Sequence, residues 1–182
     1  MLRGEFGEAR KWAVGQQLQV GQMFDAPDTV AVTQAHIMAD SESLGDVGVE
    51  FLQWLAGLPA GDRKVRIPTI TDPRGLDFAQ YECLKQEHSW ARQEQTMIDS
   101  FRALDVLMTD TCINYQTVSA PVFGEHVAMG DTGVVIYSNS VCGARTNFEG
   151  GPAAIAAALT GRTPRYGLHL DEARMGTHLF DV

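Results

Sequence analysis

The residues best suited to chemistry lie in one run, Tyr137 to Gly151, which gathers amides, hydroxyls, Gly143, Gly150, Gly151 and a single arginine, Arg145. An apolar stretch, Val134 to Tyr137, leads into it, and Pro152 with an Ala-rich run to Leu159 follows. Proline at a first helical position after glycine marks a helix start. The pattern therefore predicts buried strand, polar loop and helix N-terminus, with Asn139, Ser140 and Arg145 at the junction. Such a junction presents backbone N–H groups and a guanidinium to an anionic ligand. A plain tight turn is the competing reading of the same glycines. Three thiols, Cys83, Cys112 and Cys142, complete the reactive set. An odd number with no C-x-x-C spacing makes neither a disulfide framework nor a metal motif, and each reads by itself as a buried thiol.

These groups need elements to hold them. Ala9, Trp12, Ala13, Gln16, Val20 and Met23 fall at helical spacing, which predicts a helix over Glu5–Met23. Thr29 to Ile37 reads as one strand with His36 at its end, a histidine that is either structural or hydrogen-bonded to backbone. Leu44, Val47, Phe51, Leu52, Leu55 and Leu58 give the cleanest helix, closed by Pro59-Ala60-Gly61-Asp62. Val65–Ile70 reads as a strand and Thr71–Asp77 as a turn-rich loop. Trp90, Glu94, Met97, Ile98, Phe101 and Leu104 mark a helix over Glu87–Leu104. Asp105–Met108 is a short strand, and Gly124–Gly133 leans towards helix. Thr177–Val182 looks like a strand that starts and is cut, so the domain is expected to be incomplete at its C-terminus. Helices alternating with short strands give an α/β fold. Polar groups then gather at strand ends: Ala39-Asp40-Ser41, Thr71-Asp72-Pro73, Thr111–Tyr115 and the run ending at Gly151.

A chain of 182 residues with 45% apolar content can bury a core as one domain or one domain with an extension. A net charge of −9 argues against a nucleic-acid surface. There is neither a long apolar run nor a secretory h-region at Met1–Glu5, so no membrane partner and a cytoplasmic location are expected.

Ordered pieces along the chain resemble the aconitase X family, the phosphomevalonate dehydratase large-subunit-like proteins. They are Met1–Ala9, Ala35-His36-Ile37, Gly45–Leu52, Ile67-Pro68-Thr69, Thr111-Cys112, Gly124-Glu125-His126, Asn139–Gly151 and Leu159–His169. The resemblance implies an aconitase-like catalytic domain, with residues 1–182 as the N-terminal part of a large subunit. It implies a hydro-lyase that removes water from a small hydroxy acid, either cis-3-hydroxy-L-proline or a phosphorylated mevalonate. It implies an iron–sulfur cluster that acts as a Lewis acid on the leaving hydroxyl. Cys112 matches one of three cysteine ligands, and the other two are expected beyond Val182. Substrate contacts map onto Ala39, Asp40 and Ser41, onto Asp72 and Pro73, and onto Asp131 and Thr132. The catalytic base is expected on a small swivelling domain, a separate or fused partner, so no residue here is assigned that role.

Departures from the family pattern are Asp72 for Asn, Ala39-Asp40 for a Gly-containing pair, Asp131-Thr132 for Glu-Ser, and Ile113-Asn114 where Pro often precedes Tyr. An added carboxylate at 40 or 72 repels phosphate and favours an ammonium or imino group. The expected substrate is therefore amino-acid-like and not phosphorylated. A truncated non-catalytic fragment and an anion-binding α/β domain are the readings from other classes.

Overall fold

A computed structural model describes residues 1–181. The elements in chain order are α1 (Glu8–Met23), β1 (Thr29–Ala31), β2 (Ala35–Ile37), α2 (Ser41–Gly57), α3 (Ala60–Arg63), β3 (Thr69–Thr71), α4 (His88–Ala103), α5 (Asn114–Thr117), β4 (Ala128–Met129), α6 (Thr132–Ser140), α7 (Gly151–Thr160) and β5 (Arg162–Pro164). The α/β expectation holds.

The central sheet has the order β3-β2-β4, with β2 parallel to both neighbours. Single parallel bridges widen it at each side, Ile70 with Leu107 and Met129 with Phe148. β1 and β5 pair antiparallel in a separate ribbon. All three residues of β2 and β3 are buried, as expected of parallel strands covered on both faces. α7 lies against β2 and β4 and carries α1 on its outer side. Ala154 to Thr160 are all buried. Small side chains on every face of α7 let its backbone approach both the sheet and α1. α2 and α4 pack as a pair, with Leu52, Leu55, Met97 and Phe101 joining one core. Asp62 in α3 starts α1 by accepting the N–H groups of Glu8 (2.8 Å) and Ala9.

Several expectations are corrected. The predicted strand 29–37 is broken: Val32 and Thr33 bond to Gly161 and His126, so 29–31 and 35–37 serve different sheets. The strand expected at 65–70 is displaced to Thr69–Thr71, because Val65 and Arg66 bond to the ends of α4 and α7. Residues 105–108 make a single bridge. Residues 124–131 are turn and strand, since their backbone pairs with β2 and with the segment after Gly143, and only Thr132 and Gly133 are helical, as the start of α6. Val134–Tyr137 is helical, lying within α6, because Asp131 caps a helix at that point. Residues 177–181 form no strand, and Val182 lies outside the described residues.

His126, two residues before β4, meets His169 Nδ1 to Nδ1 at 2.9 Å with stacked rings. One nitrogen must accept, so the pair holds at most one added proton at that contact. Burial, the neighbouring His126, and then Arg145 and Arg174 bring His169 down to about 4. Burial also lowers His126. An unfolded histidine titrates near its ordinary 6.5, so the neutral pair stabilises the fold fully above that value. That contribution is lost as pH falls from about 6.5 towards 4. Buried Glu149 faces His169 Nε2 at 4.0 Å, and burial raises its carboxyl, which gives the opposite slope. In a Glu149→Gln background, the melting temperature is therefore expected to drop between pH 6.5 and 4. Adding His169→Gln should flatten that drop, as thermal unfolding followed by circular dichroism across pH would show.

Candidate active site

Because β2 runs parallel to both neighbours, the chain leaves β2, β3 and β4 at one edge of the sheet. Ala39-Asp40-Ser41 follow β2, Asp72-Pro73 follow β3, and Asp131-Thr132 follow β4. The segment after Leu107 emerges beside β3 and carries Cys112 to the same edge. The structure thus brings together eight of the residues expected at the site. Three helices, α2, α6 and α7, also begin here. Gly130 makes the crowding possible: a Cβ there would lie 2.5 Å from the His36 carbonyl oxygen and 3.1 Å from that of Glu149.

Asn139, Ser140 and Arg145 are not part of this gathering. α6 runs away from the edge for nine residues, about 13 Å at helical rise. The chain then returns with Arg145 level with His126 and reaches the level of Met129 only at Phe148. Asn139 closes this return, its amide donating to Val135 and Thr146 carbonyls at 2.9 Å each and its oxygen accepting from Arg174. Arg145 donates to the His169 carbonyl and pairs with Asp171 at 2.5 Å. Ser140 lines a groove with Ile136 and Leu168. The helix start expected at the glycines before Pro152 is there, with Gly150 as its N-cap, but Asn139, Ser140 and Arg145 do not stand at that junction.

The helix starts are less open to an anion than the sequence implied. Asp40 caps α2 by accepting from Ser43 N–H at 2.7 Å, and Asp131 caps α6 through Gly133 N–H at 3.0 Å. Only α7 among the three begins without a side-chain cap. It opens beside a cavity of about 480 Å³ lined by Trp12, Met38, Leu44, Phe51 and Pro152.

Cys112 is exposed, and Asp72 stands close enough to act on its thiol. Partial burial, the adjacent Asp72 and then the charge of Asp131 push the thiol up to about 11. Without a metal it is therefore neutral at pH 7, and a bound cation would reverse this by stabilising the thiolate. Among the described residues no three of His, Cys, Asp and Glu gather as a metal site. Cys112 fits the role of one ligand at the rim, but a cluster is not built from these residues alone. Cys83 is exposed like Cys112, and Cys142 is half-buried, so the buried reading fails for Cys83 and Cys112.

The Cys112 loop is locked to β3. Thr109 Oγ1 donates to the Thr71 carbonyl at 2.7 Å, and Thr109 N–H donates to Thr71 Oγ1 at 3.2 Å. Asn114 donates to the Thr71 and Thr111 carbonyls. Arg74 grips Asp110 with two bonds, and Asp110 takes a left-handed φ of 51° just before the thiol. His36 is fully buried inside β2, not at its end, and its Nε2 lies 3.5 Å from Asp72 Oδ1. Neither ring nitrogen has a hydrogen-bond partner, so of the two expectations the backbone-bonded one fails.

Thr71 and Asn114 were expected in the strand-end loops but not as braces behind them, and Thr109, Arg74, Trp90 and Glu94 were given no part in the site. For Glu94 a signal existed, since a carboxylate on the apolar stripe of a helix must find buried partners.

A family model described as "Aconitase X first domain" matches residues 1–172. The chain belongs to the aconitase X family. Its relatives include the phosphomevalonate dehydratase large subunits of Methanothermobacter thermautotrophicus and Methanocaldococcus jannaschii, 37% and 35% identical across this whole chain. Each is matched over 45% of its own length, so the chain spans less than half of these relatives. The cis-3-hydroxy-L-proline dehydratase of Pseudomonas aeruginosa is 29% identical across the chain, which covers 31% of that enzyme. The crystal structure of Thermococcus kodakaraensis aconitase X (holo-form) superposes with a TM-score of 0.84 at 32% identity, over 94% of this chain and 42% of that one.

The thiol's environment yields a direct expectation. Asp72→Asn removes a charge that favours the neutral thiol, so iodoacetamide should label metal-free Cys112 several-fold faster at pH 8. One unit of pKa is about tenfold in thiolate, partly offset by lower nucleophilicity. Peptide mass spectrometry, with exposed Cys83 as the internal reference, reads the ratio. An unchanged ratio would refute the Asp72 contact.

Proposed function

We propose that residues 1–182 form the N-terminal part of a large-subunit catalytic domain of the aconitase X type, working as a hydro-lyase on a small hydroxy acid. What carries this reading is the placement of Cys112 with the 39–41, 72–73 and 131–132 loops at one sheet edge, in a chain of this family. Three aconitase X attributes go with it as proposals. An iron–sulfur cluster takes Cys112 as one of three thiolate ligands. A small swivelling domain supplies the base. The assembly works in the cytoplasm. No helix of the described chain is long and apolar enough to cross a membrane.

The proposed substrate is amino-acid-like, of the cis-3-hydroxy-L-proline kind. Asp40, Asp72 and Asp131 stand at the edge, and the charged groups acting on the Cys112 thiol are Asp72 and Asp131, both anionic. Arg74, the neighbouring cation, is engaged by Asp110. Such a field attracts an ammonium or imino group and repels a phosphate. Phosphomevalonate is the second reading, favoured by the higher identity to those large subunits.

The intact enzyme carrying this chain, reconstituted with iron and sulfide under anaerobic conditions, should be offered both compounds. Loss of water, followed by proton NMR, is expected with cis-3-hydroxy-L-proline. Asp72→Asn should shift the preference towards the phosphorylated substrate. Turnover of phosphomevalonate alone would overturn the substrate assignment, and turnover of neither would overturn the reaction class.

A further inference from the structure

We infer that Glu94 is a positioning residue that ties two substrate loops into one unit, with Trp90 as its companion. This rests on the reading that those loops hold the substrate. Glu94 comes from α4 and is fully buried. Its Oε2 accepts the Ser41 N–H at 2.9 Å, and its Oε1 accepts the Gly75 N–H at 3.1 Å. Ser41 follows β2 and Gly75 follows β3, so one carboxylate spans the two strand ends. A buried carboxylate is costly unless its oxygens are bonded, and here both are. The loops also touch directly: a Cβ on Gly75 would lie 3.4 Å from the Asp40 Cβ.

Trp90 stands one turn before Glu94 on the same face. Its indole N–H donates to Ser41 Oγ at 2.7 Å. With its oxygen accepting from Trp90 and its backbone N–H taken by Glu94, Ser41 keeps its hydroxyl hydrogen to offer a ligand oxygen. The direction of that hydrogen bond is therefore set from behind, by a helix that carries none of the residues expected to touch substrate.

Glu94→Gln tests the role, because glutamine keeps the shape but offers one acceptor and one donor, so a single loop can be bonded. Asp62→Asn is the control, since Asp62 holds backbone N–H groups at the start of α1, away from the edge. Amide hydrogen exchange of the chain should accelerate at Ser41 or Gly75 in Glu94→Gln and at Glu8 or Ala9 in Asp62→Asn. Both variants should melt lower. In the intact enzyme only Glu94→Gln should raise KM, by about tenfold, as expected for one lost bond to a charged group. Trp90→Phe, which removes only the donor, should raise KM by a smaller factor. If both α4 variants keep the parental KM while Ser41→Ala and Asp72→Ala raise it, Glu94 is structural only and the inference falls. If those two loop variants also leave KM unchanged, the loops do not hold substrate, and the reading beneath it falls as well.

Discussion

Everything at the candidate site depends on β2 pairing in parallel on both sides. A parallel sheet sends each strand out at the same edge, and the crossovers that return the chain must be helices. Here that rule places the residues after Ile37, Thr71 and Met129 within one small area, though they are far apart in sequence. The strands are only two or three residues long. Such short strands hold their register because covering elements hold it for them. α7 presses alanines against β2 and β4, and Gly130 lets the chain turn over β2 without a side chain in the way.

The edge is built in two layers with different physics. In front stand the half-buried Asp40 and Asp131 and the exposed Cys112 thiol, short of cations, with Ser41 buried just behind them. Behind them lie groups whose hydrogen bonds are complete: Glu94 on two amides, Thr71 and Thr109 on each other, Asn114 on two carbonyls. His36 and Asp72 fall between the layers, buried and close, with His36 lacking partners on its ring. The front layer carries uncompensated charge, and the back layer carries the geometry.

Much of this was legible in the sequence. The long amphipathic helices α2 and α4 showed in their spacing, and the family's motifs named the loops at 39–41, 72–73, 112 and 131–132, which meet at one sheet edge. The short strands were not legible, because three residues hold no periodicity and their pairing is set by distant segments. α6 was misread for a related reason. Val134-Val135-Ile136-Tyr137 is as apolar as a buried strand, and its helical state is decided by the Asp131 cap and the Tyr115–Tyr137 stack. Misplacing α6 carried Asn139, Ser140 and Arg145 to the wrong end of the sheet. Glu94 shows the converse case: its place on α4 was plain, but that its two oxygens serve two loops is a tertiary fact.

The division into layers bears on how far the charge of this edge can vary. Asp40 and Asp131 each cap a helix and Asp72 lies buried beside His36, so a change of charge at 40, 72 or 131 has its cost in capping or burial at that position. The amides held by Glu94 keep their partners through such a change, so the charge of the edge and the spacing of its loops are set by different residues.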